Sequence, residues 1–125
     1  MGATLATAAQ AETMTYVLDP SHSQIVFSYN HLGFSTTTGM FSGFEGSIEL
    51  DQEDPAASSV SVSFPAKSLI TGWPAREEHF LSEDFFGAEA NPLVTFTSTS
   101  IEVTGEETGK ITGDLTMNGI TKSVV

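Results

Sequence analysis

Residues 59–64 read Ser-Val-Ser-Val-Ser-Phe, so small polar and apolar side chains alternate without a break. Successive side chains of an extended strand point to opposite faces, and this alternation predicts a strand with one face in a core and one in water. The same period of two recurs in several other segments: residues 25–31, 44–51, 94–97 and 111–117. The sequence therefore predicts an all-β fold.

Turn-forming residues separate these segments. Asn118-Gly119 predicts a tight hairpin, because both residues tolerate positive φ, and residues 105–109 (GEETG) predict another connection. The apolar parity changes between Phe96 and Ile101, which predicts a bulge or bend near Ser98–Ser100. Glycines 39, 43 and 46 indicate tight curvature where a side chain would be in the way. Short strands with such turns are typical of an antiparallel sandwich or barrel.

One region departs from the alternation. Pro74 suits the first turn of a helix over residues 75–81, and Ser82 suits the start of a further turn at residues 83–86. We therefore predict a short helical insertion around residues 74–86. Its large apolar side chains are too numerous for a solvated loop and are expected to plug or line one end of a barrel: Trp73, Phe80, Leu81, Phe85 and Phe86.

Charge and length exclude several classes of protein. The chain has 125 residues, with 16 Asp and Glu against 4 Lys and Arg, and a formal net charge of −12. That length favours one domain, and the negative charge disfavours nucleic-acid partners and anionic lipid surfaces. The chain has no cysteine, so disulfides and thiolate sites are excluded. No apolar run is long enough for an integral membrane span.

The first eleven residues, MGATLATAAQA, differ from the rest. They are small and weakly apolar and end in Ala-Gln-Ala, which resembles a signal-peptidase cleavage site. We interpret residues 1–11 as a signal-peptide remnant, with a disordered N-terminus as the alternative, and expect the folded domain over residues 12–125.

Few residues could carry catalysis. The histidines, His22, His31 and His79, match no metal motif by spacing, and no nucleophile or phosphate-loop motif occurs. We therefore expect no enzyme and no cofactor. The nine phenylalanines are more informative, because aromatic strands can enclose an apolar ligand or simply fill a core. The pattern alone leaves both possibilities open.

Several segments, taken together and in order, resemble the YceI family of polyisoprenoid-binding, lipocalin-like proteins. They are residues 16–27 (YVLDPSHSQIVF), 31–35 (HLGFS), 39–46 (GMFSGFEG), 68–72 (SLITG), 76–86 (REEHFLSEDFF), 91–96 (NPLVTF) and 113–122 (GDLTMNGITK). Two departures stand out: Glu78 replaces a frequent Asp, and the family continues for several strands beyond residues 121–125.

The resemblance implies an antiparallel lipocalin-like barrel, enclosing a channel for a long-chain isoprenoid or other amphiphilic lipid of the polyprenyl quinone or alcohol type. It implies a carrier or storage protein exported to the bacterial periplasm or medium. On this interpretation the ligand-binding residues are Phe27, Phe44, Phe64 and Phe96 on the strands, with Phe80, Phe85 and Phe86 closing one end. The alternatives are a structural β-domain with a filled core and a metal-dependent enzyme that uses the three histidines.

The early stop relative to the family predicts a barrel that is incomplete at its C-terminal end. Such a sheet has two open edges with unpaired backbone groups. We therefore expect either a truncated product or a homodimer that pairs these edges.

Overall fold

The protein is described by a computed structural model that covers residues 12–125. Eight strands and one helix follow one another along the chain: β1 Met14–Val17, β2 Ile25–His31, β3 Ser35–Phe41, β4 Glu45–Leu50, β5 Ser59–Pro65, α1 Pro74–Leu81, β6 Leu93–Gly105, β7 Thr108–Met117 and β8 Ile120–Val124. Single 3-10 turns lie at Pro55–Ala57 and Ala66–Ser68. A mostly antiparallel β fold with one short helix is confirmed. The predicted signal-peptide remnant, residues 1–11, lies outside the described residues.

The strands form two sheets. Six of them pair antiparallel in the order β1-β4-β5-β6-β7-β8, and β2 pairs with β3 as a separate hairpin. An isolated bridge links the hairpin to the segment between β5 and α1: Met40 and Ile70 donate N–H groups to each other's carbonyls at 2.9 and 3.0 Å. The predicted lipocalin-like barrel, expected to be incomplete at its C-terminal end, is corrected to an open sheet with a hairpin beside it, because β2 and β3 add to neither edge of the six strands.

The open edges belong to β1 and β8 in the larger sheet. Each of these two strands has a single partner in the part of the chain that the structure covers: β4 for β1 and β7 for β8. Pairing of these edges with a second copy stays a prediction. Light scattering of the purified protein would test it, and a clean monomer would contradict it.

The turns follow the local chemistry of the sequence. Asn118 and Gly119 have φ values of 48° and 69°, which is the mirror-image turn that suits a two-residue hairpin between β7 and β8. The register between β6 and β7 shifts between Ser98 and Ser100, which confirms the predicted bulge. Glycine is required where strands approach closely, since a Cβ at Gly39 would lie 2.5 Å from the ring of Phe27.

The helix α1 begins and ends where the sequence predicts. The carbonyl of Trp73 accepts N–H groups from Arg76 and Glu77 at 3.0 and 3.1 Å, with Pro74 at the first helical position. Ser82 follows the helix, and residues 83–86 form the predicted turn. Within residues 12–125 no helix has the length and apolar character needed to cross a membrane.

The core lies between the hairpin and the middle of the larger sheet. Its buried apolar residues are Phe41, Phe44, Phe64, Ala66, Leu69, Ala88 and Val94. Three aromatic rings form its centre: Phe64 lies 5.0 Å from Phe41 and 4.7 Å from Phe44, measured between ring centroids. This cluster fixes the position of the hairpin relative to the sheet, and its outer side borders a cavity.

Candidate ligand-binding site

A cavity of about 880 Å³ lies beside the core, and β2 forms one of its walls. Alternate residues of β2 line it in an unbroken row: Ile25, Phe27, Tyr29 and His31. This row is the apolar face that the period of two in residues 25–31 predicts. Six residue steps at about 3.4 Å each give the wall a length of roughly 20 Å.

The helix α1 and the turn after it form the opposing wall. Phe80 from the helix and Phe85 from the turn lie 4.9 Å apart, and Phe80 lies 5.8 Å from Tyr29 across the cavity. Both pairs meet edge to face, the arrangement that aromatic rings favour. Phe86 packs 5.3 Å from Phe41 and so joins this wall to the core.

The floor of the cavity comes from the larger sheet. Phe64, Val94, Leu115 and Met117 supply it from β5, β6 and β7. A smaller groove of about 310 Å³ continues from this floor across β8 and shares three lining residues with the cavity: Phe85, Leu115 and Met117. The apolar surface therefore extends beyond the main cavity toward Ile120 and Val124.

Hydrogen bonds attach α1 to the loop before it. One carboxylate oxygen of Glu77 accepts the N–H groups of Thr71 and Gly72 at 2.6 and 3.1 Å, and these bonds, the one from Thr71 above all, lower the pKa of Glu77. The guanidinium of Arg76 donates from Nη2 to the carbonyl of Thr71 at 3.1 Å. Two helix residues, Arg76 and Glu77, thus bond to the buried Thr71. These bonds fix the start of α1 and thereby the position of Phe80, one turn further along.

Five of the seven predicted site residues line the cavity: Phe27, Phe64, Phe80, Phe85 and Phe86. Phe44 and Phe96 do not. Phe44 precedes β4 and is buried against Phe64, and the ring of Phe96 lies over Gly113 on the neighbouring strand, in the space that a Cβ would need. The ligand-binding role of the five residues stays a prediction.

The predicted site residues left out several that line the cavity: Ile25, Tyr29, Phe41, Leu115 and Met117. Trp73, which the sequence predicts at one end of the barrel, lines the cavity as well. Ile25 and Tyr29 share the parity of Phe27, and Leu115 and Met117 share a parity on β7, so an extension of the alternation would have found them. Trp73 is 62% exposed and enters the wall because it directly precedes α1.

Polar groups at the cavity are few and none is acidic among the lining residues that the structure describes. His31, Arg76 and His79 line it, whereas His22 lies in the loop before β2. Nδ1 of His22 lies 2.8 Å from Asp19, whose pKa is lowered by hydrogen bonds from Ser21 and His22.

The structure does not bring the three histidines together. Over the described range, 12–125, no group of three or more His, Cys, Asp or Glu side chains is arranged to hold a metal ion. His79 instead pairs with Asp84, with Nε2 and Oδ2 3.1 Å apart. The metal-dependent alternative therefore has no geometric support in this part of the chain.

Comparison with known proteins agrees with this architecture. Residues 16–125 match the model of the YceI-like domain. The chain is 42% identical to a UPF0312 protein of Ectopseudomonas mendocina over 93% of its length, and 37% identical to one of Pseudomonas syringae over its whole length. It spans 62% and 66% of those two curated relatives.

Solved structures give the same result. The fold superposes on BcnA of Burkholderia cenocepacia with a TM-score of 0.73 and 25% identity, over 81% of this chain and 64% of that one. A YceI protein of Campylobacter jejuni gives a TM-score of 0.67 and 32% identity, over 87% and 64%. The family match covers both walls and the floor of the cavity, and the chain belongs to the YceI-like family.

Proposed function

We propose that this protein binds a long-chain isoprenoid or a similar amphiphilic lipid in the cavity between β2 and α1. The observation that carries the proposal is the cavity itself, about 880 Å³ in volume and lined almost entirely by aromatic and aliphatic side chains. Pockets for small molecules have volumes of about 300–1,000 Å³ and a similar apolar character. The proposal includes a carrier or storage role in the bacterial periplasm or medium.

Apolar burial alone gives such a ligand useful affinity. Each buried CH₂ contributes about 0.8 kcal/mol before the costs of ordering the ligand are subtracted. Several isoprene units therefore suffice without a dense network of hydrogen bonds. The same physics makes the selection for chain length loose, since one methylene changes binding by only about 0.8 kcal/mol, roughly fourfold in affinity.

The distribution of polar groups suits an amphiphile. His31 is the last residue of β2, and Ile25 lies at the other end of the same wall, so the wall has a polar end and an apolar end. Arg76 and His79 add donors to the lining from α1. We propose that a head group such as a quinone or an alcohol lies at the His31 end and that the chain extends toward Ile25.

The filled-core alternative is less well supported. Side chains do fill the space between Phe41, Phe44 and Phe64, but the space between β2 and α1 stays open. A structural domain has no need of an apolar cavity of this size, because an unfilled apolar volume costs stability.

A direct test is mass spectrometry of an organic extract of the purified protein, followed by titration with polyprenyl alcohols of increasing length. Trp73 is the single tryptophan and lines the cavity, so its fluorescence reports occupancy. We expect a co-purified isoprenoid and a saturable change in emission. An empty extract together with no change at any chain length would contradict the proposal.

A matched pair of variants locates the binding. Phe85→Asp places a charge in the cavity wall, whereas Phe34→Asp places the same charge on an equally large side chain outside the lining. Both residues are exposed, at 47% and 90%, so neither change is expected to unfold the protein. Loss of uptake in Phe85→Asp alone supports the site, and equal uptake by both variants contradicts it.

A further inference from the structure

The turn between β2 and β3 presents two large apolar side chains to solvent. Leu32 is 79% exposed and Phe34 is 90% exposed. The turn is ordered by hydrogen bonds, since the N–H of Phe34 donates to the carbonyl of His31 at 3.0 Å and the N–H of Gly33 donates to the side chain of Asn30. We call Leu32, Gly33 and Phe34 the hairpin tip.

The backbone of the hairpin tip makes leucine an unfavourable choice. Leu32 has a φ of 55°, in the left-handed region that Gly, Asn and Asp adopt more easily. Its side chain gains little from packing, because most of it is exposed. Residues held in such conformations cluster at functional sites, which makes the hairpin tip a candidate interaction site.

The hairpin also carries no formal charge, although the chain is strongly acidic. No Asp, Glu, Lys or Arg occurs between Asp19 and Glu45, in a protein with 16 acidic residues. On β3, the face opposite the buried Gly39 and Phe41 is formed by uncharged residues: Thr36, Thr38 and Met40. A segment of this kind can approach a surface of low dielectric constant without the cost of desolvating a charge.

We propose that the hairpin tip inserts into the interface of a zwitterionic lipid surface. Insertion of apolar side chains by about 5–10 Å is the depth at which interfacial segments bind. The net charge of −12 opposes anionic lipids, so electrically neutral head groups are the matching surface. The inference goes beyond the proposed cargo, since Leu32 and Phe34 do not line the cavity, but it places the His31 end of the cavity next to a lipid surface.

Flotation with phosphatidylcholine vesicles tests the proposal without any isoprenoid present. We expect the wild-type chain to float with the vesicles and the L32S/F34S variant to bind at least about tenfold more weakly. The matched control is V17S/V103S, which removes two exposed apolar side chains from other strands and is expected to bind like wild type. Circular dichroism verifies that each variant is folded.

A second readout follows the tip itself. In a Trp73→Phe background, Phe34→Trp supplies a single tryptophan at the tip, and its emission is expected to shift to the blue on vesicles. Added phosphatidylglycerol is expected to weaken binding because of the negative charge of the protein.

Three results would overturn the inference. They are equal flotation of wild type and L32S/F34S, stronger binding to anionic vesicles, and a tip-dependent self-association without vesicle binding, which would make the tip a contact between copies. None of them bears on cavity occupancy, so failure here is distinguishable from failure of the proposed function.

Discussion

Two groups of aromatic rings lie side by side in this protein and differ in what covers them. The packed ring group consists of Phe41, Phe44 and Phe64, with centroids 4.7 and 5.0 Å apart and exposures of 5–9%. The open ring group consists of Tyr29, Phe80 and Phe85, with centroids 4.9 and 5.8 Å apart. Phe85 in that group is 47% exposed, although the ring spacings are similar.

The difference shows that ring–ring contact alone does not make a core. The packed ring group is buried with Ala66, Leu69 and Val94, so its rings are covered by aliphatic side chains as well as by one another. In the open ring group, Phe80 meets Phe85 within one wall of the cavity and Tyr29 of the other wall, in both cases edge to face. The packed ring group is therefore expected to contribute more to stability, although Phe41 and Phe64 also border the cavity, and the open ring group is available for a ligand.

The largest expected effect is a difference in unfolding free energy between a variant of the packed ring group and a variant of the open ring group. Phe44→Ala removes a buried ring that does not line the cavity, and we expect it to lower the free energy of unfolding by about 3–5 kcal/mol. Phe85→Ala removes a half-exposed ring, and we expect a loss below about 1 kcal/mol. Urea denaturation followed by circular dichroism measures both.

Ligand titration of the same two variants is expected to give the reverse order, with the larger loss of uptake in Phe85→Ala. Phe85→Ala is expected to weaken uptake, while the folded fraction of Phe44→Ala retains it. A charged residue at position 44 would therefore abolish uptake through unfolding rather than through the cavity wall. Equal stability losses for the two alanine variants would show that the two groups are one core.

The sequence predicted much of this arrangement, and its failures share one cause. Alternation identified five of the eight described strands (β2, β4, β5, β6 and β7), the inward parity of Phe27 and Phe64 and the bulge near Ser98, because these features depend on neighbours along the chain. Alternation could not show which residues of other strands pack against each face of a strand. Phe96 has the parity of Val94, yet its ring covers Gly113 on the next strand, and only the pairing of β6 with β7 reveals this.

Sheet closure was unpredictable for the same reason. The alternation of β2 is compatible with either a barrel strand or one strand of a separate hairpin, and β3, which reads STTTGMF, shows no regular alternation. The choice depends on which strand edges meet, and here β2 and β3 pair with each other and with no strand of the larger sheet. The helix was easier, since Pro74 and the residues after it determine α1 locally.

A smaller loss of stability is expected at Gly39, beside the ring of Phe27, which lines the cavity and contacts Phe41 of the packed ring group. Gly39 pairs with Phe27 across the hairpin, and the ring of Phe27 occupies the space of the missing side chain, 5.6 Å from Phe41. Gly39→Ala is expected to displace that ring and to lower stability by about 1–3 kcal/mol. Uptake should fall as well, because Phe27 lines the cavity.

The double variant F27L/G39A tests this cause. A smaller side chain at position 27 should recover part of the lost stability, with an interaction energy of about 1 kcal/mol in a double-mutant cycle. Recovery is expected to be incomplete, because the added Cβ would also lie 3.2 Å from the carbonyl oxygen of Ile70. A neutral Gly39→Ala would show that the hairpin moves freely relative to the core.

The smallest expected effect concerns the attachment of α1, which carries Phe80 of the open ring group. The N–H groups of Thr71 and Gly72 hold the pKa of Glu77 below the ordinary value for Glu, about 4.3. A lowered pKa in the folded state means that ionised Glu77 stabilises the fold above the ordinary value, and that this contribution is lost as the pH falls through the folded-state pKa. We therefore expect Glu77→Gln to lower the melting temperature near neutral pH.

The pH dependence distinguishes this attachment from a general effect of charge. The melting temperatures of Glu77→Gln and wild type should differ near neutral pH and converge in acid, as the pH falls through the lowered folded-state pKa of Glu77 and the wild-type carboxyl becomes protonated as well. Glu78→Gln is the matched control, because the Glu78 carboxylate is exposed, and its melting temperature should stay close to that of wild type at either pH.

Uptake gives a second distinction. If Glu77→Gln lowers uptake but leaves the free energy of unfolding close to that of wild type, the helix is held for the cavity rather than for the core. If the two variants behave alike at both pH values, the bonds to Thr71 and Gly72 do not hold the helix, and the open ring group is positioned by its own ring contacts.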